Sequence, residues 1–325
     1  MPRRPRVVRD YPLAIGNLKA LLDGCAKKLD DPDLRTKVIA LIPAVYGVRD
    51  LGSSLIPREE ASAARDRILY YFQKYPLTLI EGDELLVISG IGEWARRLRE
   101  LRVQQGWWIF SGVTFREMLS AEPEQEADLK QALLVDPASI KPDQYVLMRV
   151  EQDRDAAYRW NTLNGIRRKN IGVKEKLLEY FRANVGRVIS GEELRYLAKN
   201  KKEWARRSRE LRTQSGWPVV TRQQGRPDLP IGSYLLEEDR QSHEHDRTIS
   251  DAVRVEVLER DKFACRVCGW KREQANKDDP RRLLELHHVQ EHVKGGKNDA
   301  ENLLTLCNVH HDEVHADRLD LSPYL

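Results

Sequence analysis

The sequence predicts an α+β protein of several domains, mainly helical over its first 240 residues with a small mixed domain at its C-terminus. Three observations carry that prediction. A 16-residue motif recurs in degenerate form, 110 positions apart. Six of the eight histidines and three of the four cysteines crowd into the 51 residues from Cys265 to His315. Between these regions, Glu237 to Ser250 is polar and without periodicity, the signature of a connecting segment.

The composition sets limits before any motif is read. A chain of 325 residues exceeds one ordinary core and implies two or three compact units. Apolar residues make up 41% and charged residues 33%, enough for cores under a heavily charged surface. The longest apolar stretch, Val38 to Val48, has eleven residues and is interrupted by Pro43, too short to span a membrane. The basic N-terminus MPRRPRVVRDYP lacks the apolar core of a secretory signal and reads as a mobile arm, which points to a cytoplasmic protein of bacterial or archaeal type. Four cysteines do not make a disulfide framework; Cys25 reads as a small buried residue. A net charge of +4 means that affinity for nucleic acid must come from local clusters of Lys and Arg.

The duplication organises the first 240 residues. EWARRLRELRVQQGWW, Glu93 to Trp108, recurs as EWARRSRELRTQSGWP, Glu203 to Pro218. Upstream, ILYYF at Ile68 parallels LLEYF at Leu177, and EGDEL at Glu81 parallels SGEEL at Ser190. Each copy predicts a helix, a turn, a second helix opening near the EL dipeptide, and a third beginning near Trp94 or Trp204. A Gly-Trp pair ends the third helix, and an extended segment follows at Tyr145 or Tyr234, the order of a winged helix-turn-helix. The predicted layout is an N-terminal helical segment over 1–60, winged-helix repeats over 61–157 and 165–238, a linker over 239–250 and a final domain over 251–325. The first repeat is longer by 21 residues between its third helix and its strand, largely the acidic stretch AEPEQEADLKQ, which makes a poor DNA-facing wing and is expected to pack elsewhere or regulate access.

In each third helix arginines recur at i, i+3 and i+6: Arg96, Arg99 and Arg102, then Arg206, Arg209 and Arg212. Opposite them lies an apolar stripe of Trp94, Leu98 and Leu101, or Trp204 and Leu211 with Ser208 between. An Arg-rich third helix can enter the major groove and read guanine edges or clamp phosphates, with Lys199, Lys201 and Lys202 adding charge. The competing reading is a solvated face in which Glu93, Glu100, Glu203 and Glu210 pair with the arginines.

In the last domain, Cys265 and Cys268 are two residues apart, and Cys307 and His310 repeat that spacing. Two such half-sites suit one structural zinc ion in Cys3His coordination. A domain of about 75 residues has little core, so such a clip would supply much of its folding free energy.

Between the half-sites runs LELHHVQEHVKGGKNDAENLLTLC, followed by NVHHDEVH. This arrangement resembles the HNH, or ββα-metal, nuclease family: a strand ending in an acidic residue or His followed by His, a Gly-containing loop, an Asn before a second strand, and a helix carrying His. The matching positions are His287-His288, Gly295-Gly296, Asn302 and His311, with His315 one turn on. The resemblance implies that His288 is the general base for the attacking water. It implies that His287, His311 and His315 hold one divalent cation, Mg²⁺ or another such as Mn²⁺, against a phosphate oxygen and the leaving 3′ oxygen. Asn302 would position His288 and its loop. The spacing is consistent: adjacent strand residues take separate roles, and His311 and His315 share a helix face while His310 turns toward zinc. The family often has Asp where this chain has His287 and Cys where it has His310. Asn298 competes with Asn302, but only Asn302 directly precedes the apolar run LLTL. His292 reads as a substrate contact or bystander, and His243 and His245 as solvated linker residues.

Together these readings describe a defence-type nuclease acting on double-stranded DNA, a restriction endonuclease either conventional or modification-dependent. Two winged-helix repeats would choose the site, a zinc-stapled ββα-metal domain would cut, and a homodimer on DNA would cut both strands. The alternatives are a homing-type or repair nuclease, or a non-enzymatic zinc-dependent DNA-binding regulator.

Overall fold

The computed structural model describes residues 5–290 and 296–325. In chain order the elements are α1 (Tyr11–Ala26), α2 (Leu34–Ser53), α3 (Ala64–Lys74), β1 (Ile80–Glu81), α4 (Gly82–Ser89), α5 (Trp94–Arg99, continued by a π-helical turn to Gln104), β2 (Ile109–Ser111), α6 (Gly112–Ala121), α7 (Glu126–Leu133) and β3 (Gln144–Leu147). They continue with α8 (Ala156–Arg168), α9 (Val173–Arg182), β4 (Ile189–Ser190), α10 (Gly191–Leu197), α11 (Trp204–Thr213), β5 (Val219–Val220), β6 (Ser233–Leu236), α12 (Asp251–Arg260), β7 (Leu284–His288), β8 (Leu303–Cys307) and α13 (Asn308–His315). Two compact units result: residues 1–113 with 139–157, and residues 114–138 with 158–325.

In the first unit α1 and α2 start at side-chain caps, Asp10 accepting from Leu13 N and Asp33 from Arg35 N and Thr36 N. Cys25 is buried, as its small apolar character predicts. The arm is not free where it is described: Arg6 N donates to Asp50 Oδ1 at 2.7 Å and Val8 N to Ser54 Oγ at 2.9 Å, so the end of α2 holds it. The core of this unit gathers Ile68, Phe72, Ile80, Leu85, Leu98, Leu101, Ile109 and Leu147. β1, β3 and β2 form an antiparallel sheet in that order, with Ile80 opposite Tyr145 and Phe110 opposite Val146.

The second unit repeats this construction. β4, β6 and β5 pair antiparallel in that order, with Ile189 opposite Tyr234 and Val220 opposite Leu235. The duplicated string therefore yields duplicated detail. Trp94 meets Tyr145 edge-on at 5.9 Å between ring centroids, and Trp204 meets Tyr234 the same way at 5.8 Å. At the start of α10, Ser190 and Glu193 cap each other reciprocally, and Glu84 accepts from Glu81 N at the start of α4. The Gly-Trp pair is a turn in both copies: Gly106 and Gly216 have φ of 72° and 65°, and a Cβ would sit 2.1 Å from Asp153 O or 2.6 Å from Arg247 Cγ.

Segment 114–138, which contains the acidic stretch, packs within the second unit. There Glu122 is buried against Arg212, Asp128 accepts from Arg222 and Gln223, and Glu124 accepts from Gln224. In the same unit, β7 and β8 make an antiparallel hairpin running from Leu284 opposite Cys307 to His288 opposite Leu303. One cluster of this part holds Cys265, Trp270, Leu304, Leu306, Cys307 and Leu321. A second holds Ile249, Val257, Leu258, Leu286 and Leu303 and seats α12 on the hairpin.

Candidate metal centres and active site

The four residues of the paired half-sites converge. One ligand atom from each of Cys265, Cys268, Cys307 and His310 lies within 4.8 Å of all the others. His310 Nδ1 is 3.2 Å from Cys307 Sγ and 3.5 Å from Cys265 Sγ. Three sulfurs and one imidazole at this spacing form a set that could hold zinc, with Trp270 and Leu306 packed behind it.

The hairpin and α13 build a second cluster. His287 and His288 end β7, and α13 presents His311 and His315 from successive turns. His287 faces both helix histidines, with ring centroids 5.4 Å from His311 and 4.9 Å from His315. At the centre stands a residue that the sequence pattern assigns to the linker: Asp246, only 2% exposed. Its Oδ2 lies 2.9 Å from His311 Nε2, 3.0 Å from His315 Nε2 and 3.5 Å from His287 Nδ1. Its Oδ1 accepts from His288 N at 3.0 Å and lies 2.8 Å from His288 Nδ1. Ligand atoms of Asp246, His287, His311 and His315 all fall within 4.8 Å of one another.

The electrostatics follow from this crowding. Burial alone would raise the Asp246 carboxyl, but the imidazoles of His287, His288 and His311 around it outweigh burial and hold the group far below the ordinary carboxylate range. For His315, burial and the neighbouring His311 lower the pKa and favour the neutral ring that ligates metal. Burial would also lower His288, yet its bonds to Asp246 and Asn298 prevail and raise it. Among the described residues His287 Nδ1 is buried without a hydrogen-bond partner, which suits an atom that ligates a cation. Behind the cluster, Glu285 lies 3.6 Å from His311 Nδ1, and Arg240 ties Glu285 to Asp312. Carboxylates behind ligating imidazoles fix ring orientation.

The two asparagines make different contacts. Asn302 Oδ1 accepts from Gln290 N, and its Nδ2 donates to Gln290 O and Lys297 O. The side chain that touches His288 is Asn298, with Oδ1 2.7 Å from His288 Nε2. Gly296 is buried beside them. Gly295, His292 and the side chain of His245 lie outside the described residues. His243 is exposed but not simply solvated, because its ring stacks on His315 with centroids 3.9 Å apart.

The arginine triads are not equivalent members of one groove-facing surface. Arg212 is 1% exposed, bonded to Asp251 and Glu122, so it is unavailable to DNA. Arg209 donates to Asp251 Oδ2 and Ala121 O and is only partly exposed. Arg102 is half-buried with its guanidinium 5.7 Å from the Tyr145 ring centre. Arg96 and Arg206 remain open, at 58% and 62% side-chain exposure, leaning on Glu100 and Glu210. Arg99 is exposed as well. Arg97 and Arg207, absent from the triads, lie beside them and pair with Glu100 and Glu210 at 2.7 Å.

Comparison with known families gives two matches. Residues 265–317 match the HNH endonuclease model, and residues 65–148 and 174–237 match the KpnI N-terminal domain model. Neither the curated proteins nor the solved structures provide a match. The C-terminal part of the chain is thus similar to HNH endonuclease domains, which suggests a nuclease. The match of the duplicated region to a KpnI N-terminal domain suggests a restriction-type nuclease. Among the described residues no helix is long and apolar enough to cross a membrane.

Proposed function

We propose that this protein is a restriction endonuclease that hydrolyses phosphodiester bonds of double-stranded DNA by a single-metal HNH mechanism. The observation that carries the proposal is the convergence of His287, His311 and His315 beside His288, on a hairpin and helix that belong to the HNH match. His287, His311 and His315 would hold a divalent cation, and that cation supplies charge stabilisation at the phosphate and the leaving 3′ oxygen. His288 acts as general base. With its Nδ1 proton donated to Asp246, the neutral ring would take the water's proton on Nε2, and the N–H so formed donates to Asn298 Oδ1, 2.7 Å away. The Cys3His set serves as a structural zinc clip.

The two duplicated regions act as winged-helix readers, each presenting the exposed arginines of its third helix to DNA, Arg96 and Arg99 in one and Arg206 in the other. One metal site per chain cuts one strand, so a homodimer on DNA accounts for double-strand cleavage. The test is to incubate the zinc-loaded protein with supercoiled DNA, unmodified or methylated on adenine or cytosine, with Mg²⁺ or Mn²⁺ and with chelator. Metal-dependent cleavage is expected, and the methylated substrates separate a conventional enzyme from a modification-dependent one. DNA binding without cleavage of any substrate would point to the zinc-dependent regulator instead.

A further inference from the structure

From the position of its carboxylate, we infer that Asp246 is a fourth protein ligand of the catalytic cation and, through its other oxygen, the group that orients His288. The inference rests on the nuclease reading above and names a residue 19 positions before the HNH match begins.

The distances argue for a ligand. Bonds of about 2.0–2.2 Å from imidazole and carboxylate to one six-coordinate cation such as Mg²⁺ or Mn²⁺ would put neighbouring ligand atoms about 2.8–3.1 Å apart and leave positions open for substrate oxygens. Asp246 Oδ2 stands 2.9 and 3.0 Å from His311 Nε2 and His315 Nε2, at that spacing, and 3.5 Å from His287 Nδ1, a little beyond it. No surface carboxylate drifting toward a positive patch would be held this way, because the chain on both sides of Asp246 is pinned. Before it, Arg240 bonds Asp312, Gln241 donates to Ser215 O and Ser242 N donates to Gly216 O. After it, Arg247 Nε donates to Ser242 O and Ile249 is buried with Leu286 and Leu303.

The two oxygens have different tasks. Oδ2 faces the three ligating rings, while Oδ1 takes the main-chain N–H of His288 and faces its Nδ1. One carboxylate therefore joins the cation to the base and holds the ring in the tautomer that leaves Nε2 to receive a proton. It also makes the active site composite: the ββα element supplies three ligands, and the segment leaving the second repeat supplies the fourth.

The test uses the full chain with zinc in the cysteine site and Mn²⁺ as probe, followed by calorimetry and by electron paramagnetic resonance of free Mn²⁺. Asp246→Ala is expected to weaken Mn²⁺ binding at least about tenfold, with Asp246→Asn intermediate and both still folded by circular dichroism. At saturating Mn²⁺, the Asp246→Ala cleavage rate stays at least about tenfold below wild type, because His288 has lost its partner. If Asp246→Ala unfolds, Asp246→Asn carries the same comparison. Unchanged Mn²⁺ affinity in a folded variant would overturn the ligand role, and faster cleavage would mean that the carboxylate only occupies the place of the substrate phosphate. Full recovery of rate at saturating Mn²⁺ would overturn the orienting role. A wild-type protein that neither binds Mn²⁺ nor cleaves would instead overturn the nuclease reading itself.

Discussion

Arg212 Nε donates to Asp251 Oδ1 at 2.6 Å, joining the third helix of the second repeat to the first turn of α12. Arg212 also reaches Glu122 and Val219 O, so every edge of a fully buried guanidinium is used. Burial would raise the Asp251 carboxyl, but Arg212 overrides it and keeps the group below its usual value. Removing one partner of such a pair strands a buried charge, at a cost of about 3–5 kcal/mol. Arg212→Ala should therefore lower the urea midpoint of the second unit sharply, and a variant as stable as wild type would show that the network contributes nothing.

Arg96 and Arg206 should behave in the opposite way. They are open, and their pairs with Glu100 and Glu210 are surface pairs of little stabilising value. The double change to Ala should leave the melting temperature nearly unchanged while weakening DNA binding. The slope of log affinity against log salt should flatten by about 0.9 for each phosphate that is no longer neutralised. An unaltered slope would mean that these helices face a protein partner or only water.

Metal removal separates the two proposed ion sites. A structural zinc ion supplies about 10–16 kcal/mol in small zinc-binding peptides, comparable to the whole stability of a domain. A strong chelator, or Cys307→Ser, should make residues 251–325 sensitive to protease and release the hairpin. Exchange of Mg²⁺ for buffer alone should abolish cleavage with no change in protease resistance. Protease resistance of the Cys307→Ser variant would rule out the zinc clip.

The asparagines give a finer test. Asn298→Ala should slow single-turnover cleavage about 10- to 100-fold without altering DNA affinity, because it removes the acceptor beside His288 Nε2. Asn302→Ala should instead loosen the loop that it ties at Gln290 and Lys297, which hydrogen exchange at those amides would detect. Equal effects of the two changes would contradict this division.

What can be read from the sequence is what is local. The paired CxxC-like half-sites, the His pair ending a strand and the His311–His315 helix spacing each lie within a few residues, and the structure gathers them. Asp246 is illegible because its partners are 41 to 69 positions downstream of a polar run with no period, and the one available hint is a cation site lacking a fourth ligand. The arginine triads mislead for a geometric reason. At about 100° per residue, Arg212 lies about 120° round the helix from Arg206, far enough to reach the buried side. Arg102, reached through the π-helical turn, is likewise half-buried, beside Tyr145. Asn302 stands out over Asn298 because it precedes the strand, but a contact across a loop is not encoded by adjacency to a strand.

The most direct test of the central claim is single-turnover cleavage of supercoiled DNA by wild type and His288→Ala, with Mn²⁺ and DNA binding measured on the same samples. The variant should bind both and cleave at least about 100-fold more slowly. Cleavage by His288→Ala at the wild-type rate would contradict the assignment of His288 as the base.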